Sequence, residues 1–264
     1  MTAPAERIAA GEPVVAGEVR AAAEVRAAAE RVAEACRVLG RLGLTREPAG
    51  HISMLLADGT VALKARGPAE SGLRFAGADD VVVVDRGGTL LSGAPGLTAP
   101  QELAIHLAVY RARPDVTSVA HVHPTMPVLF SVCDVPLLPV TGAYDPYALR
   151  LLADGVPTFD RSVLVTTPEL GDELAAVLGA GSVCLMRGHG VTAVGASPEE
   201  AALNVIKLSE LAELNFQARQ LGEPRRIDEA ERAAIVGTGR TRPELIASAW
   251  RFYLRLVSEQ PEGS

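Results

Sequence analysis

The sequence predicts an α/β fold, with a mixed or mostly antiparallel sheet and helices on both faces. Two observations carry this expectation. Helical and strand-like periodicities interleave along most of the chain. Hairpin signals also fall between neighbouring strand-like runs, at Asp58-Gly59 and Gly87-Gly88, and tight turns of that kind join antiparallel pairs.

Residues 1–17, rich in Ala, Gly and Pro, are expected to form a flexible segment. From residue 18 the stretch EVRAAA occurs twice, too short a unit for a solenoid, and continues as a strong helix former. Val25, Ala28, Val32, Ala35, Val38 and Leu39 lie on one apolar face, and Gly43 is the expected stop. HISMLL and TVALKA read as strands, and DDVVVVDRGGTLLSG as two more. APQELAIHLAVYRARP reads as a helix bounded by Pro100 and Pro114. VTSVAHVH is an expected strand, TMPVLFSV a short helix, and SVLVTT another strand. PELGDELAAVLG reads as a helix opened by Pro168, and SVCLMRGHGVTAVG as two strands broken at Gly188 and Gly190. Ser197 and Glu200 form a capping box at the head of a long amphipathic helix. One domain over residues 18–222 follows, with a helical extension over 223–264 that ends in a polar, disordered SEQPEGS.

Composition narrows the function classes. The formal net charge is -7, and no block of Lys and Arg offers a nucleic-acid footprint. The N-terminus lacks the basic start and apolar centre of a signal peptide, and no apolar run reaches the ~18 residues that span a bilayer. Cys36, Cys133 and Cys184 are odd in number and scattered among apolar neighbours, which suits buried thiols in a reducing cytoplasm better than a disulfide framework. A cytoplasmic protein with a small-molecule substrate is expected, without nucleic-acid or membrane partners.

The chemistry concentrates on a few residues. His121 and His123 alternate on a strand and therefore point to one side. Two neutral imidazoles in one small volume either bind a cation or stand as hydrogen-bonded core groups. His189 lies between Gly188 and Gly190, a pattern that suggests a tight turn presenting the ring. Three histidines with one carboxylate are a usual set for Zn²⁺ or a similar first-row ion with an open position. Glu102 and His106 are four apart and share a helix face. That helix precedes the His121 strand, so Glu102 can return to its end as ligand or proton carrier. The other reading is a helix-start carboxylate favoured by the macrodipole. His106 reads as structural, or as a support behind the ligands.

PQELAIHLAVYRARPDVTSVAHVHP, followed by LMRGHGVTAVG and SPEEAALNVIKLSELAE, resembles the class II aldolase/adducin family over about residues 26–220. The order E-x3-H, H-x-H, G-H-G is more specific than any of its parts. The resemblance implies a three-layer α/β/α sandwich around a mainly antiparallel sheet, assembled as a cyclic tetramer with sites near subunit interfaces. It implies a divalent metal on His121, His123 and His189, zinc first, with manganese, cobalt or iron as alternatives. It makes Glu102 the catalytic acid/base. Adducin-like members without the metal histidines are binding or scaffold modules; here all three histidines and the glutamate stand, which favours an enzyme.

Departures from the family's sugar-phosphate members bear on the substrate. Those members hold phosphate with a Ser-Ser pair before the glutamate and an Asn in a GNIS-like stretch. Pro100-Gln101 and GHIS, with His51, stand here instead. Lys64 and Arg66 alternate in VALKARG, and arginine suits bidentate carboxylate recognition; an exposed basic strand edge is the other reading. A small non-phosphorylated carboxylate is expected, bordered by His51, Lys64, Arg66 and Gln101. RGHG with KARGPAESGLRF is similar to members that decarboxylate dihydroxylated aromatic acids or related carboxylates. Loss of CO₂ and retro-aldol loss of an aldehyde leave the same kind of carbanion, so the expectation is a metal-dependent carbon–carbon lyase. Decarboxylation ranks ahead of aldol cleavage of a hydroxy-keto substrate, with epimerisation third. Tyr144, in TGAYDP, is either a second proton donor at the cleft or an ordinary loop tyrosine.

Overall fold

The Ala-, Glu- and Arg-rich start becomes α1 (Ala16–Arg41) in the computed structural model, which describes residues 16–151, 155–237 and 242–259. Gly43, at φ 70°, follows it in the left-handed region that glycine adopts without steric cost. The first hairpin joins β1 (His51–Leu55) to β2 (Val61–Lys64). In its turn the Asp58 carboxylate accepts the backbone N–H and the hydroxyl of Thr60. The second joins β3 (Val81–Val84) to β4 (Leu90–Ser92). Next come α2 (Leu103–Ala112), β5 (Ser118–Val122), α3 (Thr125–Cys133), α4 (Pro146–Leu151) and β6 (Thr158–Phe159). The chain continues through α5 (Pro168–Leu178), β7 (Val183–Met186), β8 (Gly190–Gly195), α6 (Pro198–Leu221), α7 (Glu229–Gly237) and α8 (Arg242–Glu259).

The eight strands make one mixed sheet in the order β4-β3-β2-β1-β5-β8-β7-β6. β6 runs parallel to β7, and the other neighbours pair antiparallel. Alternation along the strands separates two cores. Val61, Leu63, Val119 and Met186 face Ile105 and Val109 of α2 and Leu174 of α5. Ile52, Ala62, Ala120, Val122 and Val191 face the other way, onto α1 and α6. Helices thus cover both faces, as the α/β expectation has it. In the extension, α8 returns to the body: Trp250, Tyr253 and Val257 are buried in the second core, with Trp250 Nε1 donating to Glu34 and Tyr253 OH to Glu210. Among the described residues no helix is long and apolar enough to cross a membrane.

Some expectations change. SVLVTT forms no strand: Val163 and Leu164 are exposed, and the Val165 N–H goes to a side chain rather than to a neighbouring strand. The sheet's edge is instead the two-residue β6, just upstream. α4 had no counterpart in the sequence reading. The long helix expected to be amphipathic is buried nearly all round between Pro198 and Ala212, as befits a helix at the centre of a core. Of its two buried amides, Asn204 donates to Val194 O and accepts from Tyr147 OH, and Asn215 accepts the Leu138 N–H and donates to Leu138 O and Leu211 O. Ser197 Oγ caps α6 by accepting the Glu200 N–H, but Glu200 reaches back to the N–H of Ala196 rather than of Ser197. Residues 1–15 of the expected flexible segment and 260–264 of the expected disordered tail lie outside the described residues; residues 16–17 and 258–259 are helical.

α2 and α5 pack closely because Gly171 lets their backbones meet: a Cβ there would lie 2.6 Å from Ala104 O and 3.0 Å from Ala108 Cβ. Gly171→Ala gains up to about 1 kcal/mol of helix propensity but should cost about 1–3 kcal/mol through overpacking. A net fall in the chemical-denaturation midpoint is expected; a rise would mean that α5 moves aside freely.

Candidate active site

The strand order brings β1, β5 and β8 side by side, and the candidate residues gather at one end of them. His51 pairs opposite His121 between β1 and β5, and His121 lies opposite Thr192 of β8. His123 directly follows β5. His189 sits in the turn between β7 and β8, its N–H donating to Met186 O at 3.0 Å. The two glycines around it differ in purpose. Gly188 adopts φ 65°, whereas a Cβ on Gly190 would come within 2.5 Å of Val122 O and 2.7 Å of His123 Cδ2. One glycine makes the turn and the other lets it press against the His123 strand end.

Glu102 arrives from the opposite side, at the N-cap of α2, yet makes no side-chain bond to its own helix. Its Oε1 accepts the Val165 N–H at 2.8 Å. Its Oε2 lies 3.5 Å from His121 Nε2 and 3.4 Å from His189 Nε2. His121 Nε2 and His123 Nε2 are 3.0 Å apart. All four ligand atoms lie within 4.8 Å of one another. Tetrahedral ligands at the usual metal–nitrogen distance are separated by about 3.3 Å, so this donor set fits a first-row divalent cation.

Burial favours the neutral form of His123, the form a ligand must take. Burial, with the charge of His121 and His189, holds His123 at about 3. Burial and His121 do the same for His106, also at about 3. His51 is pushed well below the ordinary histidine value by burial and by His106 and His121. At Glu102 burial opposes ionisation, but hydrogen bonds and charge from His121 and His189 outweigh it, so the carboxyl lies well below its usual range.

A cavity of about 390 Å³ opens onto this cluster. His51, Lys64, Arg66, Gln101, Glu102, His123 and His189 all line it, and His121 lies fully buried behind. Lys64 does not match the exposed-edge reading. β2 is flanked by β1 and β3, and the Lys64 ammonium is 3% exposed, donating to Ala65 O at 2.6 Å and Glu70 Oε1 at 3.1 Å. Arg66 lies just beyond β2, bridged to Thr98 through its backbone. Among the described residues its guanidinium has no hydrogen-bond or ion-pair partner.

Tyr144 is not brought to this cavity. It is 84% exposed in a 3-10 turn, Gly142–Tyr144, beside a different concavity lined by Asp145, Lys207 and Glu210. Asp145 pins that turn by accepting the N–H groups that open α4 and by pairing with Lys207 of α6. A larger cavity, about 870 Å³, lies at the far end of β5 and β8. Its carboxylates Asp115, Glu199 and Glu200 are already paired with Arg113, Arg31 and Arg242.

Sequence reasoning missed two features. Glu70, in the loop after β2, carries no periodic signal. Behind His51 runs a buried chain: His51 Nδ1 to His106 Nε2 at 2.7 Å, His106 Nδ1 to Ser53 Oγ at 2.6 Å, and Ser53 Oγ to Tyr110 OH at 2.6 Å. Its signal was present, since Ser53 is two strand positions from His51 and Tyr110 four helix positions from His106.

Residues 30–216 match the family model for the class II aldolase and adducin N-terminal domain. The chain belongs to this family. It is 40% identical over 193 residues to a 3,4-dihydroxyphthalate decarboxylase of Terrabacter sp. (strain DBF63), covering 72% of this chain and 80% of the relative. It is 36% identical over 231 residues to a protein of the same name from Arthrobacter keyseri, covering 85% and 91%. In fold it matches the L-fuculose 1-phosphate aldolase from Glaciozyma antarctica PI12, with a TM-score of 0.76, 21% identity and 94% of each chain covered. The expected family is thereby shown, and with it an enzyme of the lyase class.

Two outcomes test the cluster. His189→Ala should lose most bound divalent metal while staying folded; full occupancy by elemental analysis would remove His189 from the ligand set. His106 and His123 have folded values below the unfolded value of 6.5. Their contribution to stability is therefore complete above that pH and lost as pH falls from 6.5 towards 3. The denaturation midpoint of metal-free protein should fall through that window; a flat profile would show that these rings are not held neutral.

Proposed function

We propose that this chain is a divalent-metal-dependent decarboxylase of a small, non-phosphorylated aromatic acid with adjacent hydroxyl groups, of the dihydroxyphthalate kind. One observation carries the reading: the histidine–glutamate cluster shares its cavity with the uncommitted Arg66 guanidinium. Arginine binds a carboxylate bidentately, and His51 and Gln101 stand where phosphate-holding groups are expected in sugar-phosphate relatives.

His121, His123 and His189 would hold the cation, with zinc as the first assignment and manganese, cobalt or iron as alternatives. A divalent cation there supplies a Lewis acid that draws charge onto adjacent substrate oxygens as the carbon–carbon bond breaks. The protein's side chains do the rest. Arg66 binds a substrate carboxylate at the cavity mouth, while Lys64, neutralised by Glu70, holds the adjoining loop in place. Gln101 and His51 border the ring. Glu102 starts ionised, with Oε1 anchored on Val165 N–H and Oε2 facing the cavity. It takes the proton of a substrate hydroxyl and returns it to the carbon that CO₂ leaves, so protons balance over the cycle. Tyr144 has no part in this reading.

Aldol cleavage of a hydroxy-keto acid is the second reading, because the same cluster serves a retro-aldol carbanion. A metal-free scaffold is disfavoured by the convergence of all four ligand-type side chains. We further read the two cores as the outer layers of a three-layer α/β/α sandwich around a mainly antiparallel sheet. Residues 18–222 are the catalytic domain, with 223–264 as its extension, in a cytoplasmic homotetramer.

Metal-loaded protein should release CO₂ from ortho-dihydroxy aromatic acids and lose this activity to chelator. No CO₂ from such a panel, beside aldehyde from a hydroxy-keto acid, would reverse the order of the two readings. Glu102→Gln should slow turnover by roughly 10²–10⁴; a near-normal rate would return Glu102 to a structural role. Arg66→Ala should raise KM roughly tenfold with kcat little changed, the mark of binding lost equally from ground and transition states. An unaltered KM would place the carboxylate elsewhere.

A further inference from the structure

Behind His51, the buried groups His106, Ser53 and Tyr110 take no part in the steps above, yet the donors and acceptors of the whole chain can be counted. The Tyr110 hydroxyl has one side-chain partner, Ser53 Oγ. Among the described residues no other acceptor lies within hydrogen-bond reach of it. The Tyr110 hydrogen must therefore go to Ser53 Oγ. The Ser53 hydroxyl is then left to donate to His106 Nδ1, which has to be the lone-pair nitrogen. A neutral His106 carries its hydrogen on Nε2 and donates it to His51 Nδ1. His51, likewise neutral, must hold its own hydrogen on Nε2, the nitrogen left for the cavity that His51 lines. The opposite polarity would strand the Tyr110 hydrogen in the apolar core between α2 and the sheet, where an unmade hydrogen bond is not compensated by water.

We propose that Tyr110, Ser53 and His106 are positioning residues that lock His51 as the Nε2–H tautomer. The cavity then receives a hydrogen-bond donor where a lone pair would otherwise point. Two consequences follow. The His51 ring centroid lies 5.1 Å from that of His121, yet His51 is barred from becoming another nitrogen ligand, because its cavity-facing nitrogen is protonated. It also selects an acceptor: an anionic oxygen of the substrate, such as a second carboxylate, beyond the group that Arg66 binds. This substrate assignment rests on the decarboxylase reading; the tautomer does not.

The test is long-range ¹H–¹⁵N correlation on the full chain, ¹⁵N-labelled at histidine and loaded with zinc as a diamagnetic probe. His51 is assigned by comparison with His51→Gln. The expected spectrum shows His51 and His106 both as Nε2–H. Tyr110→Phe removes only the hydroxyl that sets the polarity. It should leave zinc content unchanged, give mixed tautomers at both rings and raise KM for an aromatic dicarboxylate by the reciprocal of the remaining Nε2–H fraction, about twofold for an even mixture. His106→Gln, whose amide can still donate to His51 Nδ1, should keep KM near wild type, whereas His106→Leu should not. His51 found as Nδ1–H in the wild type overturns the proposal, and so does Tyr110→Phe with unaltered tautomers and KM. Should the variants not fold, the wild-type spectrum alone decides. His51 as Nε2–H in a protein that turns over no aromatic acid would uphold the lock and reject the decarboxylase reading.

Discussion

The crowding of His121, His123, His189 and Glu102, four ligand atoms within 4.8 Å, is the constraint on which the rest of the structure depends. Imidazoles and a carboxylate withdrawn from water lose solvation that only a partner can restore. In the folded chain two nitrogens, His121 Nδ1 and His189 Nδ1, are buried without any hydrogen-bond partner. The group cannot assemble for its own sake. Each member is held by something else: His121 by the middle of the sheet, His189 by a turn only glycines permit, Glu102 by the head of a helix clamped between the sheet and α5. Packing in two cores outweighs the local cost and delivers a donor set ready for a cation.

That explains what could be read from residues alone. His121 and His123 were legible because alternation on a strand is a local rule, and His189 because its flanking glycines announce an unusual backbone. The hairpins at Asp58-Gly59 and Gly87-Gly88 and the cap at Ser197 are local too, and they stand in the structure. Contacts closed by distant chain were not legible. Nothing in VALKARGPAE says that the Lys64 ammonium turns to Glu70, and nothing in TGAYDP says that Asp145 ties its turn to α6 rather than to the cleft. The burial of α6 on every side depends on what surrounds it, which periodicity cannot supply.

Charge in the cavity is arranged on the same logic. Lys64 and Glu70 form a nearly dry pair, and such pairs add little stability but are costly to break singly, by about 3–5 kcal/mol. Their contribution is to fix the loop after β2 against the strand end, next to Arg66. The arginine itself is exposed and, among the described residues, uncommitted, so its charge is open to whatever enters. The metal cluster and Glu102 are common ground between decarboxylase and aldolase chemistry. His51, Lys64 and Arg66 line the same cavity, and it is on them that the proposed choice between the two chemistries rests.

The failure of SVLVTT to form a strand belongs to the same account. Its β-branched residues favour extended structure, and a strand there would have spent the Val165 N–H on a ladder partner. A backbone donor can be spent only once. In this fold it is given to Glu102 Oε1 at 2.8 Å, in a segment whose neighbours Val163 and Leu164 remain exposed. With one oxygen fixed from outside the helix, the carboxylate can rotate little, and the other oxygen is directed at His121 and His189. Released from that anchor, Glu102 would be free to fold back and cap α2, the ordinary fate of an acidic residue at a helix start. The segment that breaks the propensity rule is therefore the one that holds this carboxylate away from its own helix and against the histidines.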